Sequence, residues 1–365
     1  MKITAAVLRG EQSPYTIEEL ELAEPGPQQI LVRIVGAGHC HTDVVPRAAM
    51  GLGTPPIVLG HEGAGVVDAI GAAVDSVAVG DHVVLSFDSC GRCRNCREAH
   101  PAYCDTFLAR NLGGPGVDGA GPLTDGDGNP VSGRWFGQSS FATHTVVDVD
   151  NAVVVDKALP LELLGPLGCG IQTGAAAVLE ALRVPAGAGI VITGTGAVGL
   201  SAIMAAKVAG AGPIIGVDLN AERLELAREL GATHTIVAGG GDLTEQIAEI
   251  APAGLPFGLD TTGLPAVIAA ALNALTQRGV LGLVGVQQGD LVIDPMALTV
   301  GRSLMGILEG DAVPQNFIPT LIALWQAGRF PFDRLIETFD LSEINTVEQR
   351  ALAGEIIKPV LLPGK

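Results

Sequence analysis

Four cysteines, Cys90, Cys93, Cys96 and Cys104, fall within 15 residues of a turn-rich stretch. That spacing lets four thiolates close a tetrahedral shell around one Zn²⁺. Every position is then protein sulfur, which describes a structural metal holding together a lobe with little apolar content of its own. Arg92, Arg94 and Arg97 interleave with the cysteines and offset thiolate charge. Two disulfides or four buried thiols are the competing readings, and a long chain without a leader pattern disfavours them. Two more cysteines stand apart, in Cys40-His41-Thr42-Asp43 and Gly168-Cys169-Gly170, and a histidine sits in Gly60-His61-Glu62-Gly63. Taken singly, each reads as an ordinary polar residue in a turn.

The second chemistry-bearing stretch is Val191-Ile192-Thr193-Gly194-Thr195-Gly196-Ala197-Val198-Gly199. An apolar run ends in Gly-x-Gly-x-x-Gly, and a small-residue helical pattern follows to Ala209. A second apolar run ends in Asp218, 19 positions after Gly199. Strand, tight turn, helix, strand and acid in this order form the dinucleotide-binding fingerprint. Gly194 permits the turn, Gly196 admits a pyrophosphate to the backbone, and Gly199 lets helix and strand pack closely. The helix N-terminus offers N–H groups and a positive dipole end to the phosphates. Asp218 is placed to accept hydrogen bonds from ribose hydroxyls, which favours NAD over NADP because a 2′-phosphate would be repelled. Arg223, a turn further on, reads as an adenine contact or a phosphate contact.

The elements that position these groups divide the chain in two. Of 365 residues, 48% are hydrophobic and 16% charged, so the chain is globular and long enough for two cores. The net charge of −18 argues against nucleic acid and an anionic membrane as partners. No stretch is long and apolar enough to span a bilayer, and Met1-Lys2-Ile3-Thr4-Ala5 shows no leader pattern, so a soluble cytoplasmic protein is expected. Residues 1–35, 83–85 and 141–149 read as β. From about residue 171 to 305, apolar strands at 190–193, 213–217, 234–237, 257–260 and 280–285 alternate with helices at 197–209, 220–230, 242–250 and 265–276. That alternation predicts an α/β, doubly wound parallel sheet. A helix over 314–327 and a last strand at 360–362 follow. The Gly/Pro/Asp-rich loop 111–138 is long enough to be functional, and Trp135-Phe136 at its end reads equally as pocket lining or loop anchor.

In this order the motifs resemble the zinc-containing medium-chain alcohol dehydrogenases over essentially the whole length. Phe136-Gly137-Gln138-Ser139-Ser140-Phe141 and Ile357-Lys358-Pro359-Val360 are most similar to its aryl- and allylic-alcohol branch. The resemblance implies a Rossmann domain at 171–305. It also implies a mainly β, GroES-like catalytic domain at 1–170 and 306–365, with the zinc lobe at about 88–106. It further implies a second, catalytic zinc on Cys40, His61 and Cys169, hence two Zn²⁺ per chain, plus NAD. Cys₂His with one open position is the ligand set of an alcohol-binding zinc. Asp43 would hold the His61 tautomer, and Glu62 would modulate the metal from behind. Thr42 would relay the alcohol's proton while hydride passes to the nicotinamide. Thr173 would pack on the nicotinamide, and His41 and Lys358 would meet the pyrophosphate. Many relatives carry a histidine two positions after the Asp. Val45 stands there, so the proton would leave through the ribose and His41, or directly to water.

The implied reaction is reversible oxidation of a primary alcohol, of benzyl alcohol or geraniol type, to its aldehyde. A polyol dehydrogenase, a glutathione-linked formaldehyde dehydrogenase and a non-catalytic zinc- and NAD-binding protein are the alternatives. Substrate-lining positions are expected in 111–138, near Phe141 and in 285–310. Strands at about 291–308, including Leu304-Met305-Gly306-Ile307-Leu308, are expected to pair across a two-fold axis in a homodimer or homotetramer; a strand buried within one subunit would read the same.

Overall fold

A computed structural model of the chain describes every residue except 49, 50, 115–118, 120 and 365. Part of the expected pocket loop, 115–118 and 120, therefore lies outside the described residues. The chain forms two compact units: Met1–Gly170 with Val313–Pro319 and Asp333–Lys365, and Ile171–Ala312 with Thr320–Phe332.

The first unit is mainly β. A five-stranded sheet is built around Lys2–Leu8 and Tyr15–Leu22. A seven-stranded sheet centres on Gln29–Gly38, which pairs with Glu62–Ile70, His144–Asp148 and Lys358–Leu362. The C-terminal strand Lys358–Leu362 is buried throughout, so the tail of the chain is part of this core. The four-cysteine lobe carries only short helices, Arg94–Arg97 and Pro101–Tyr103.

The second unit has a six-stranded parallel sheet in the order His234–Val237, Ile214–Asp218, Ile190–Thr193, Leu255–Asp260, Leu275–Leu283, Ser303–Gly306. This strand order, reversing direction of growth at Ile190–Thr193, is that of the dinucleotide-binding fold. Ile190–Thr193 is fully buried, as a central strand covered on both faces must be. Its helices are Ala197–Ala209, Ala221–Leu230, Leu243–Ile250 and Pro265–Asn273. The Asn220 side chain caps the second of these by accepting from the backbone N–H of Glu222 and Arg223.

Three expectations change. The passage out of the second unit falls after Ala312 rather than after residue 305. The reason is that Ser303–Gly306 extends the parallel sheet and Ile307 continues into it, its N–H donating to Leu283 O at 2.9 Å while its side chain is buried. The segment 320–332 also belongs to the second unit. Within 291–308, Pro295–Thr299 is helical rather than strand, because Asp294 caps Met296 N–H at 2.9 Å and Pro295 opens the first turn.

A Cβ at Gly199 would collide with the carbonyl oxygen of Gly194, so the helix starts against its own turn. Replacing Gly199 by Ala is expected to cost about 1–3 kcal/mol of stability. Calorimetry should show a thermal midpoint lowered by several degrees; an unchanged midpoint would mean the turn has room to move.

Candidate active site and metal centres

The first cluster is local. The sulfurs of Cys90, Cys93, Cys96 and Cys104 lie within 4.8 Å of one another. Cys93 Sγ is 3.4 Å and Cys90 Sγ 4.0 Å from Cys96 Sγ. Disulfide sulfurs sit at about 2.05 Å, and none of the six cysteines is in a disulfide. Tetrahedral ligation at about 2.3 Å per bond sets sulfurs about 3.8 Å apart, which the observed spacing brackets. Backbone N–H groups of Cys90, Cys93 and Cys96 point at Cys104, Cys90 and Cys93 sulfurs at 3.3–3.5 Å, an arrangement that suits thiolates. Burial, then Cys93 and Cys104, push the Cys96 thiol up to about 12. A bound cation would take that proton's place. The donor set fits a closed Zn²⁺ shell.

The base of the lobe rests on a pair the sequence reading missed. Arg110 Nη1 meets both Asp88 carboxylate oxygens at 3.0–3.1 Å, and Asn111 exchanges hydrogen bonds with the Asp88 backbone. Of the interleaved arginines, Arg94 is committed to Glu98 at 2.9 Å.

The second cluster is assembled from distant segments. Cys40 lies between the strand Gln29–Gly38 and the turn His41–Ala48. His61 precedes the strand Glu62–Ile70, and Cys169 precedes the helix Gly170–Ala176. Their ligand atoms, with a Glu62 oxygen, lie within 4.8 Å of one another. His61 Nδ1 is 2.8 Å from Asp43 Oδ1, so Nδ1 carries a proton and Nε2 is the ring nitrogen left for a ligand role. Nε2 is buried and has no hydrogen-bond partner among the described residues. A buried orphan nitrogen facing two cysteine sulfurs fits a metal ligand. Burial opposes charge on His61, but Asp43 and Cys40 outweigh it and hold its pKa well above the usual imidazole value. The Cys169 hydrogen bond, with Lys358 and His61, holds the Cys40 thiol well below its ordinary value.

Glu62 is buried behind this cluster. Lys358 Nζ sits 2.9 Å from both of its carboxylate oxygens, and Gly170 N–H donates to Oε1 at 2.9 Å. Lys358 is itself buried, with a further bond to His39 O at 3.2 Å. A buried carboxylate demands an adjacent cation, and Lys358 is that cation. His41, by contrast, is exposed, and half-buried Thr42 has its hydroxyl 3.8 Å from Cys40 Sγ.

Trp135-Phe136 proves to be an anchor for His61. Trp135 Nε1–H donates to Asp43 Oδ1 at 3.0 Å. Phe136, with φ of 50°, stacks on the His61 ring at 4.4 Å between centroids. Gln138 holds His61 O at 2.9 Å and accepts from Gly63 N–H at 3.0 Å. The pairing of two aromatics with a Gly-Gln turn was the available signal, but it carries no partner's address.

In the second unit, a Cβ at Gly196 would enter open space, whereas at Gly194 it would strike Thr261, so the turn leaves room for a ligand at its middle glycine. Asp218 Oδ2 accepts from Thr195 N–H at 2.6 Å and Thr195 Oγ1 at 2.8 Å, and Oδ1 accepts from Asn220 N–H at 2.9 Å. The carboxylate is thus oriented at the strand end by its own turn. Arg223 is half-buried on the first turn of Ala221–Leu230. Thr173 donates its hydroxyl to Glu309 Oε2 at 3.4 Å.

This combination of a four-sulfur lobe, an open Cys₂His cluster and a dinucleotide fold defines a zinc- and nicotinamide-dependent dehydrogenase. Residues 26–157 match the alcohol dehydrogenase GroES-like domain, and residues 197–326 match the zinc-binding dehydrogenase family. The chain is 45% identical over 363 residues to a geraniol dehydrogenase of Castellaniella defragrans, covering 98% of this chain and 97% of the relative. Among solved structures, an alcohol dehydrogenase zinc-binding domain protein from Burkholderia ambifaria is 46% identical, with a TM-score of 0.97 over 100% of this chain and 99% of that one. Benzyl alcohol dehydrogenase from Acinetobacter calcoaceticus is 41% identical, with a TM-score of 0.95 over 99% of each chain. The chain belongs to the zinc-containing medium-chain alcohol dehydrogenase family.

The Glu62–Lys358 pair generates a stability prediction. Lys358→Met leaves a buried carboxylate alone and is expected to cost about 3–5 kcal/mol. Urea unfolding of the metal-loaded protein should show this, with part of the loss recovered by adding Glu62→Leu. Equal losses in the single and double variants would mean that the two charges are not coupled.

Proposed function

We propose that this chain oxidises a primary allylic or aromatic alcohol, of the geraniol or benzyl alcohol type, to its aldehyde, reversibly and with hydride transfer to NAD. The observation that carries this reading is the Cys40–His61–Cys169 cluster with its unpartnered His61 Nε2. High identity to geraniol and benzyl alcohol dehydrogenases supports the substrate class.

In this reading Cys40, His61 and Cys169 hold a catalytic Zn²⁺, and Cys90, Cys93, Cys96 and Cys104 a structural one. A zinc ion bound at the first set supplies Lewis-acid polarisation of the substrate oxygen and lowers the hydroxyl pKa; NAD accepts the hydride. Asp43 keeps the proton on His61 Nδ1, leaving Nε2 as the ligand atom. Thr42 Oγ1, beside Cys40, accepts the substrate proton and donates its own outward. Exposed His41 is the next group on that route, with Val45 offering nothing at the position where many relatives carry a histidine. His41 also meets the cofactor phosphates. Glu62, neutralised by Lys358, modulates the cluster from behind. Gly194, Gly196 and Gly199 cradle the pyrophosphate, Asp218 takes the ribose hydroxyls, Arg223 lies toward the adenine, and Thr173 packs on the nicotinamide. Asp218 favours NAD over NADP. No helix among the described residues is long and apolar enough to cross a membrane, and a cytoplasmic setting suits free thiols. Ser303–Gly306 is the edge strand of its sheet and suits pairing across a two-fold axis in a homodimer or homotetramer.

The test is NAD reduction with benzyl alcohol, geraniol, ethanol and sorbitol in parallel, with zinc measured on the same sample. Two zinc ions per chain and preference for benzyl alcohol or geraniol are expected. Preference for ethanol or sorbitol would refute the substrate class alone. One zinc and no turnover would refute the catalytic cluster.

Thr42 generates a second prediction. Thr42→Ala is expected to lower kcat by about 10²–10⁴-fold, as loss of a positioned proton-transfer group does, and Thr42→Ser to restore most of it. Steady-state kinetics at saturating NAD decide this, and a Thr42→Ala variant with full kcat would remove the hydroxyl from the proton path.

A further inference from the structure

Asp43 is fully buried, and its carboxylate collects four donors. Oδ1 receives His61 Nδ1–H at 2.8 Å, Trp135 Nε1–H at 3.0 Å and Gly60 N–H at 3.1 Å. Oδ2 receives Cys40 N–H at 3.0 Å. A carboxylate has about four lone-pair sites, and Oδ1 takes three of these donors while Oδ2 takes one. Three of its donors belong to the cluster's own turns: His61 is a ligand, Cys40 is a ligand, and Gly60 precedes His61. Trp135 is the exception. It lies 92 positions from Asp43, in the short turn Trp135–Gly137, and contributes no ligand atom. An indole N–H is a donor only, so it cannot exchange roles with the imidazole it sits beside.

We propose that Trp135 is a positioning residue for the catalytic metal: its indole N–H pins the Asp43 carboxylate so that His61 keeps Nδ1 protonated and Nε2 aimed at the two cysteine sulfurs. This rests on the proposed Cys40–His61–Cys169 zinc site. The geometry around Trp135 shows why the pin is firm. The indole is fully buried, and its backbone N–H donates to Ser139 Oγ at 2.9 Å. Ser139 Oγ in turn donates to Val58 O at 2.6 Å, just ahead of the Gly60-His61 turn. Phe136, the next residue, closes the face of the His61 ring. One five-residue turn therefore fixes the anion, the ring plane and the backbone on which the ring is carried. Without the indole donor, Oδ1 loses one of its two side-chain hydrogen bonds, and the carboxylate can rotate toward Gly60 and Cys40. The imidazole then has no fixed acceptor, and both the ring orientation and the tautomer that exposes the Nε2 lone pair become one choice among several. Groups that orient a ligand in this way are commonly worth about 10–100-fold in metal affinity.

The four-cysteine zinc in the same unit is an internal reference, because Trp135 makes no bond to it. The test compares three full-length proteins: unaltered, Trp135→Phe, and a protein carrying the isosteric benzothienyl amino acid at 135, which keeps the ring shape and lacks the N–H. Each is titrated with a zinc chelator, and both zinc ions are counted by mass spectrometry under native conditions. Co²⁺ replaces the weaker-bound ion, and its absorption spectrum is recorded. The expected result is loss of one zinc at about tenfold or more lower chelator strength in both altered proteins, the second zinc unchanged, and a shifted Co²⁺ spectrum. Where Trp135→Phe does not fold, the benzothienyl protein decides alone. Retention of both ions as in the unaltered protein overturns the proposal. So does equal loosening of both, which marks a purely structural role for the indole. An unaltered protein that binds only the four-cysteine zinc overturns the catalytic site and this proposal together.

Discussion

The buried carboxylate of Asp43 is the constraint on which the catalytic half of this molecule depends. It lies where the 40s turn, the Gly60-His61 turn and the Trp135 turn converge, and it is bonded to all three. A buried charge without its hydrogen bonds is costly, so each of these segments is held to the position that satisfies it. The backbone N–H of Cys40 and the ring of His61 are thereby referenced to one rigid group. Cys40 and His61, from separate turns, are held near each other because both are bonded to the same acid. The surrounding strands supply the floor: Gly38, at the end of the central strand, has no room for a Cβ because the Glu62 side chain occupies it. Packing and electrostatics specify the same arrangement here, which is what a preorganised site requires.

The two cysteine clusters show two ways of building a metal site. The lobe takes four ligands from one short stretch, and its geometry follows from local turns and N–H···S contacts. It needs little from the rest of the fold, and with few buried apolar residues of its own it gives little back beyond the metal's own cross-link. Its attachment runs through Asp88, which burial pushes up to about 6 against the pull of Arg110. The second cluster takes three ligands from three segments and depends on the assembled core. That difference matches the chemistry. A closed shell can be self-contained, whereas an open one must leave a coordination position free while holding the remaining ligands rigid.

How much of this was legible in the sequence follows from the range of each interaction. The cysteine spacing of the lobe and the Gly-x-Gly-x-x-Gly turn are local, and strand and helix positions in the second unit lay within a few residues of those found. Cys40, His61 and Cys169 were individually ambiguous and became legible only as a set matching a known family. Lys358 shows what such a match leaves out. Its partner Glu62 is 296 positions away, and no local pattern announces that a lysine near the end of the chain will be enclosed against a carboxylate near its start. The same is true of Trp135 and Asp43. Long-range pairing of buried polar groups decides these roles, and a single sequence carries no record of which buried acid meets which buried donor. The end of the second unit is hard to read from the sequence for a related reason. Leu304 to Leu308 reads as an apolar run in either unit, and only pairing with Leu275–Leu283 assigns it to the parallel sheet.

Charge balance completes the argument for the open cluster. Cys40 and Cys169 as thiolates, with Asp43 and Glu62 as carboxylates, face a single ammonium, that of Lys358. Lys358 is already matched to Glu62, which leaves two sulfurs and Asp43 without a cation of their own. In a buried setting such an excess is relieved either by protons or by a multivalent cation. The upward pull on His61 is the protein's partial answer from within the chain. A divalent ion answers it more completely, because it neutralises both sulfurs at bonding distance and leaves His61 a neutral ligand whose remaining N–H is committed to Asp43. With both cysteines as thiolates, the charge of this donor set suits a divalent metal, as its spacing does. The one negative charge that remains, on Asp43, is spread over four hydrogen bonds instead of being cancelled. In the proposed site, that would keep a bound metal's positive character available to a substrate oxygen while holding the His61 ring in place.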